Sequence, residues 1–72
     1  MLDASGRLLE VEDEIALDAA PAPVKAAFEA RGKVLKVESV TRGPIVTYEA
    51  TVEKGGRKSA VAVDANGRKV KG

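Results

Sequence analysis

The stretch Glu10-Val11-Glu12-Asp13-Glu14 carries the densest chemistry in the chain, four carboxylates within five residues. Carboxylates that converge can do acid–base work or hold a cation. Strand alternation instead lines Glu10, Glu12 and Glu14 along one exposed face, spread over about 13 Å at a strand rise near 3.3 Å per residue. That spread suits a solvated or partner-facing edge, not a pocket. The sequence has no His and no Cys, which removes the usual general bases, nucleophiles and thiolate metal ligands. Ser5, Ser39 and Ser59 have no base at a spacing that would activate them. Asp64-Ala65-Asn66, and likewise Asp3-Ala4-Ser5, look like the start of a calcium loop. However, Arg68 falls at the next alternate ligand position and the downstream bidentate Glu is missing, so a plain hairpin turn is the simpler reading. No catalytic residue, metal site or cofactor is expected, and no enzymatic activity.

The elements that position these residues follow from period and punctuation. Leu9, Val11, Ile15 and Leu17 share one parity against the glutamates, predicting a strand from Arg7 to Ala16 with a bulge or a strand end where Asp13 interrupts the apolar side. Pro21 to Arg31 reads as the one helix. Prolines lie in its first turn, four alanines lie within it, Arg31 sits at the cation-favouring end, and Gly32 is the left-handed stop. Asp18 lies close enough to help cap its start. Val24, Ala27 and Phe28 form the stripe that would lie on a sheet. Lys33 to Arg42 alternates with Leu35 and Val37 inward, then shifts parity at Ser39-Val40, a second place for a bulge. Arg42-Gly43-Pro44 is a turn. Val46, Tyr48, Ala50 and Val52 then alternate with Thr47, Glu49, Thr51 and Glu53, and Lys54-Gly55-Gly56-Arg57 closes a hairpin onto Lys58 to Val63. Asn66-Gly67 predicts a two-residue type I′ hairpin with a short returning strand. The expected fold is α+β: a single antiparallel sheet of about four strands with one short helix packed on one face. Phe28 and Tyr48, its two large anchors, belong to the core between them.

Seventy-two residues make one domain. The net charge of +1 is unevenly placed: residues 1–20 carry one cation against six acids, and residues 53–72 carry six cations against two acids. Ends of opposite sign favour contact within a chain or between chains, so a homodimer through edge strands is one expected association. One Phe, one Tyr and no Trp leave no stacking platform for nucleic acid. No apolar run approaches the roughly 20 residues that span a bilayer, and a membrane is not an expected partner. Asp3-Ala4-Ser5-Gly6-Arg7 reappears as Asp64-Ala65-Asn66-Gly67-Arg68, a spacing of 64 − 3 = 61 residues. The chain therefore reads as one repeat unit plus the opening of the next, or as one unit closed by related hairpins.

The order of these motifs resembles that of the PepSY-like (β-lactamase-inhibitor-protein-like) domains. An Asp-x-Ser-Gly-Arg turn precedes an acidic strand and a helix beginning Pro21-Ala22-Pro23-Val24-Lys25-Ala26-Ala27-Phe28. A Tyr48-x-Ala50-x-Val52 strand, a Gly-Gly hairpin and Val63-Asp64-Ala65-Asn66-Gly67-Arg68 follow. The resemblance spans Leu2 to Val70. It implies an exported bacterial binding module, periplasmic or extracellular, without enzymatic activity, that inhibits or sequesters a secreted enzyme. The alternative it leaves open is one unit of a tandem or self-associating scaffold. No leader precedes the first turn, so export would require one already removed. The sheet face away from the helix, with Lys36, Glu38, Thr47, Glu49, Thr51 and Glu53, is the candidate partner surface; the partner itself is not specified by any residue.

Overall fold

The computed structural model describes residues 10–70, and the first turn around Ser5-Gly6, the start of the predicted strand at Arg7 and Lys71 lie outside the described residues. Four strands, β1 (Glu10–Ile15), β2 (Lys33–Arg42), β3 (Ile45–Lys54) and β4 (Arg57–Asp64), pair with their sequence neighbours in the order β1-β2-β3-β4. Every pairing is antiparallel. A 3-10 turn at Leu17–Ala19 and one helix, α1 (Ala22–Glu29), lie between β1 and β2. The fold is α+β, as the periodicity implied.

Alternation decides which face is buried. Val37, Ala50 and Val61 stand in one cross-strand row, with Ser39, Tyr48 and Val63 in the next. Val24 and Phe28, both fully buried, press onto this face and complete a core with Ala20, Val37, Ala50, Val52, Val61 and Val63. Ile15, Leu17, Ala27, Val34 and Tyr48 are partly buried around it. The helix meets its expected stripe but is shorter than predicted. Pro21 is its N-cap and Ala30 its C-cap, so Arg31 lies beyond the last turn. Asp18 does not cap it; its carboxylate takes the Lys25 ammonium at 2.6 Å instead.

Of the two predicted irregularities one is absent and the other moves. β1 runs through Asp13 in continuous register, Glu10 opposite Arg42 to Ile15 opposite Val37, with no bulge. Asp13 is tolerated because that face of β1 extends past the helix into water. The only register shift in β2 falls between Val34 and Lys36, not at Ser39-Val40. The shift turns Val34 inward and leaves Leu35 43% exposed, the reverse of the simple alternation. Val40 keeps its regular place, and so lies on the face away from the helix.

Turn chemistry separates the hairpins. Gly55 and Gly56, at φ 60 and 80, form the two-residue turn with both central residues left-handed. Asn66 does not do so: among the described residues no non-glycine has positive φ, and only Gly67, at φ 81, is left-handed there. The Gly67 amide donates to the Asp64 carbonyl and the Asp64 amide to the Arg68 carbonyl, each at 2.9 Å. The loop is therefore three residues long, a type I turn closed by a glycine bulge. Its returning strand is reduced to one bridge, Val63 with Lys69, and a bond from the Val70 amide to the Ala62 carbonyl at 3.0 Å.

Phe28→Ala is expected to cost about 3–5 kcal/mol by loss of buried aromatic surface plus the cavity left behind. A chemical-denaturation midpoint close to the parent's would refute the packing described. At Gly67 a β-carbon would also overlap the Pro23 carbonyl at the start of the helix, whereas Gly55 has open space around it. Gly67→Val should thus destabilise by clearly more than the ~1–2 kcal/mol of left-handed strain alone, and Gly55→Val by about that strain. Equal losses in urea melts would show that the loop does not seat on the helix.

Candidate functional site

The six residues of the predicted partner surface share one face, because Lys36 pairs with Thr51, Glu38 with Glu49, Val40 with Thr47, and Glu53 with both Lys33 and Lys58. Their neighbours could not be assigned from the sequence. Antiparallel pairing of β1 with β2 puts Glu14 opposite Glu38, and Glu38 is in turn opposite Glu49, so three glutamates stand abreast across three strands. Like charges directly opposite one another destabilise a sheet. Among the described residues only Lys36, 3.9 Å from Glu38, forms an ion pair with this row.

Beside the row the face turns apolar. Val40 is 4% exposed although it faces away from the helix. Val40, Arg42, Ile45, Thr47, Glu49, Ala62 and Val70 line a shallow hollow of about 290 Å³. Ile45, at its rim, is 60% exposed. A parity shift at Ser39-Val40 would have hidden Val40 beneath the helix, so the apolar floor of this face escaped the sequence reading. The signal was present: Val40, Ile45 and Val70 have no place in the helix-side alternation.

Arg42 anchors the acidic side. Its guanidinium donates to Glu10 Oε1 from both Nε, at 3.2 Å, and Nη2. That hydrogen bond, followed by one with Glu12, holds the Glu10 carboxyl below its ordinary value and raises Arg42. Glu12 moves the opposite way. The hydrogen bond it shares with Glu10 pushes it up, and the charges of Glu38 and Glu49 add to this. Asp18 is lowered, and Lys25 raised, by the hydrogen bond between them.

The arrangement offers binding chemistry. Among the described residues no three acidic side chains converge well enough to hold a metal ion. Asp64, which began the apparent calcium loop, uses Oδ1 to accept the Asn66 and Arg68 amides at 2.9 and 3.0 Å. Its carboxylate shapes the turn. Among the described residues no helix is long and apolar enough to cross a membrane. Comparison with protein-family models, curated proteins and solved structures finds no match.

The opposed shifts give a signed pH response. Lowered Glu10 and Asp18 stabilise the fold above their ordinary values, and that contribution is lost as pH falls through their depressed folded values. Raised Glu12 does the reverse: its ionisation costs the folded state at neutral pH, and the cost disappears as pH falls through its raised value toward the ordinary 4.5. Thermal melting should therefore show a small gain on mild acidification before the acid loss. Glu12→Gln should be more stable than the parent at neutral pH and should lack the gain. A monotonic fall in both proteins would contradict the assignment.

Proposed function

We propose that this chain is a small non-enzymatic protein-binding module of PepSY-like type. Its open sheet face docks a basic surface of an exported protein and thereby inhibits or sequesters it. The observation that carries this reading is the Glu14–Glu38–Glu49 row beside the hollow floored by Val40. A small apolar centre with a charged margin is the anatomy of a protein interface. Three glutamates abreast are unfavourable for the isolated domain, and a sequence that breaks a local stability rule most often does so where it works. A basic partner would relieve the repulsion and cover Ile45 in the same step. Lys36, Thr47, Thr51 and Glu53 extend the same face and would form the polar margin. The order of strand, helix and three-strand meander supports the resemblance, and periplasmic or extracellular location follows from it.

Inhibition assays against a panel of secreted β-lactamases and proteases test the reading. At least one enzyme with a basic surface should be inhibited. Glu38→Lys with Glu49→Lys, two exchanges on the face opposite the core, should weaken that inhibition by about tenfold or more, ~1.4 kcal/mol. Amide shift perturbations should map to the open face. Inhibition by both proteins alike, or perturbations confined to the helix side, would overturn it.

A further inference from the structure

The two edges of the sheet complement each other, and neither belongs to the open-face reading. Their hydrogen-bonding directions follow from the turns. A two-residue turn at Gly43-Pro44 makes Arg42 and Ile45 a bonded pair. By alternation Thr41, Ser39 and Val37 then bond toward β1. Their partners Val11, Asp13 and Ile15 thus use their backbone groups on β2. Glu10, Glu12 and Glu14 turn theirs outward, and among the described residues no strand receives them. On the far edge the Ala62 carbonyl faces outward, since it accepts from Val70. By the same alternation Ala60 and Lys58 face outward too, and no partner among the described residues reaches them. A notch of about 430 Å³ runs along this stretch from Ser59 to Ala62, with Arg31 and Lys69 at its margin and Glu49 the one acid beside it. Among the described residues the Lys58 to Ala60 stretch of β4 is unpaired and bordered by cations, and the outer edge of β1 is unpaired and acidic.

We infer that copies of this chain join edge to edge, with β1 of one copy adding as a strand to the outer edge of β4 in the next. Three constraints select the register. Strand directions make the added β1 antiparallel to β4 when both copies present their helices on the same face. Outward-facing residues must meet outward-facing residues, so Glu10, Glu12 or Glu14 must stand opposite Ala60 or Lys58. Leaving the bond between Val70 and Ala62 intact then puts Glu10 opposite Ala60, Val11 opposite Ser59, Glu12 opposite Lys58 and Asp13 opposite Arg57. Both charged pairs are of opposite sign and each shares a face: Glu12 and Lys58 lie away from the helix, Asp13 and Arg57 toward it. Within one copy Arg57 stands opposite Lys54 across the hairpin and forms no ion pair among the described residues, so the incoming Asp13 supplies an acid. Symmetric pairing of two β1 strands would instead set Glu12 against Glu12 and Glu10 against Glu14. The contact is heterologous and open-ended, so growth does not stop at two copies.

Light scattering and sedimentation over a range of concentration test this. The parent should form species beyond the dimer at low salt and dissociate as salt screens the pairs. A monomer at millimolar concentration and low salt overturns the proposal. Arg57→Glu with Lys58→Glu, and separately Glu12→Lys with Asp13→Lys, should each reduce association by about tenfold or more. Circular dichroism confirms that each variant is folded, and mixing the two should restore assembly; failure of the mixture to associate overturns it. The chain lacks cysteine, so Val11→Cys and Ser59→Cys read the register directly. Oxidised together they should give the mixed disulfide, whereas predominant like-with-like dimers of either variant would refute the pairing. Arg57 lies on the helix side and Lys58→Glu leaves the open face more acidic, so inhibition of a basic enzyme should persist in the Arg57→Glu with Lys58→Glu variant once it no longer assembles. Loss of either activity is thus seen separately from the other.

Discussion

Everything in this domain depends on Phe28 and Val24 reaching one face of the sheet. They are the fully buried side chains of a helix only eight residues long. Such a helix spans about 12 Å, whereas ten-residue strands such as β2 and β3 span roughly 33 Å. The helix can therefore cover only part of the surface it rests on. At the uncovered end Val11 and Val46 are 41% and 40% exposed, although they lie on the core parity. The short core also explains why Gly67 matters: by lying against Pro23, the last loop closes the end of the core where the helix begins.

The face away from the helix follows from the same geometry by subtraction. A single register shift at Leu35 turns Val34 inward, and the unbroken alternation from Val37 onward sends Val40 outward between Glu12 and Thr47. The chain thus has two apolar regions, a sealed one under the helix and a shallow one open to water. The antiparallel return of β1 onto β2 then places its glutamates beside those of β2 and β3. Charge crowding here is a consequence of topology as much as of composition.

Much of this was legible in the residues. The alternation of Val46 to Glu53, the stripe of Val24, Ala27 and Phe28, and the Gly-Gly turn each have one local cause, and each holds in three dimensions. What failed was non-local or subtle. Asp13 broke an apolar pattern without bending the strand, because that face of β1 lies beyond the helix and exposure costs a carboxylate nothing there. The bulge at Leu35 answers to tertiary fit and has no residue signature. Asn66-Gly67 favours a two-residue turn, but Asp64 offers its carboxylate to two backbone amides and selects a longer loop. The face of the candidate site was readable from period two; the row of three glutamates was not, because it requires knowing which strand lies beside which.

The placement of β1 has a consequence in time. Two-residue turns tie β2, β3 and β4 together, so their contacts close short loops and should form early. β1 meets β2 across the intervening helix, with Glu10 thirty-two residues from its partner Arg42. It contributes little to the core beyond the half-buried Ile15. As the chain leaves the ribosome, β1 is made before every other described strand and must wait for the end of β2 before it can pair. An extended segment left waiting invites intermolecular aggregation, and charges within such a segment act as gatekeepers against it. Glu10, Glu12, Asp13 and Glu14 thus keep the earliest strand soluble until its place in the sheet exists.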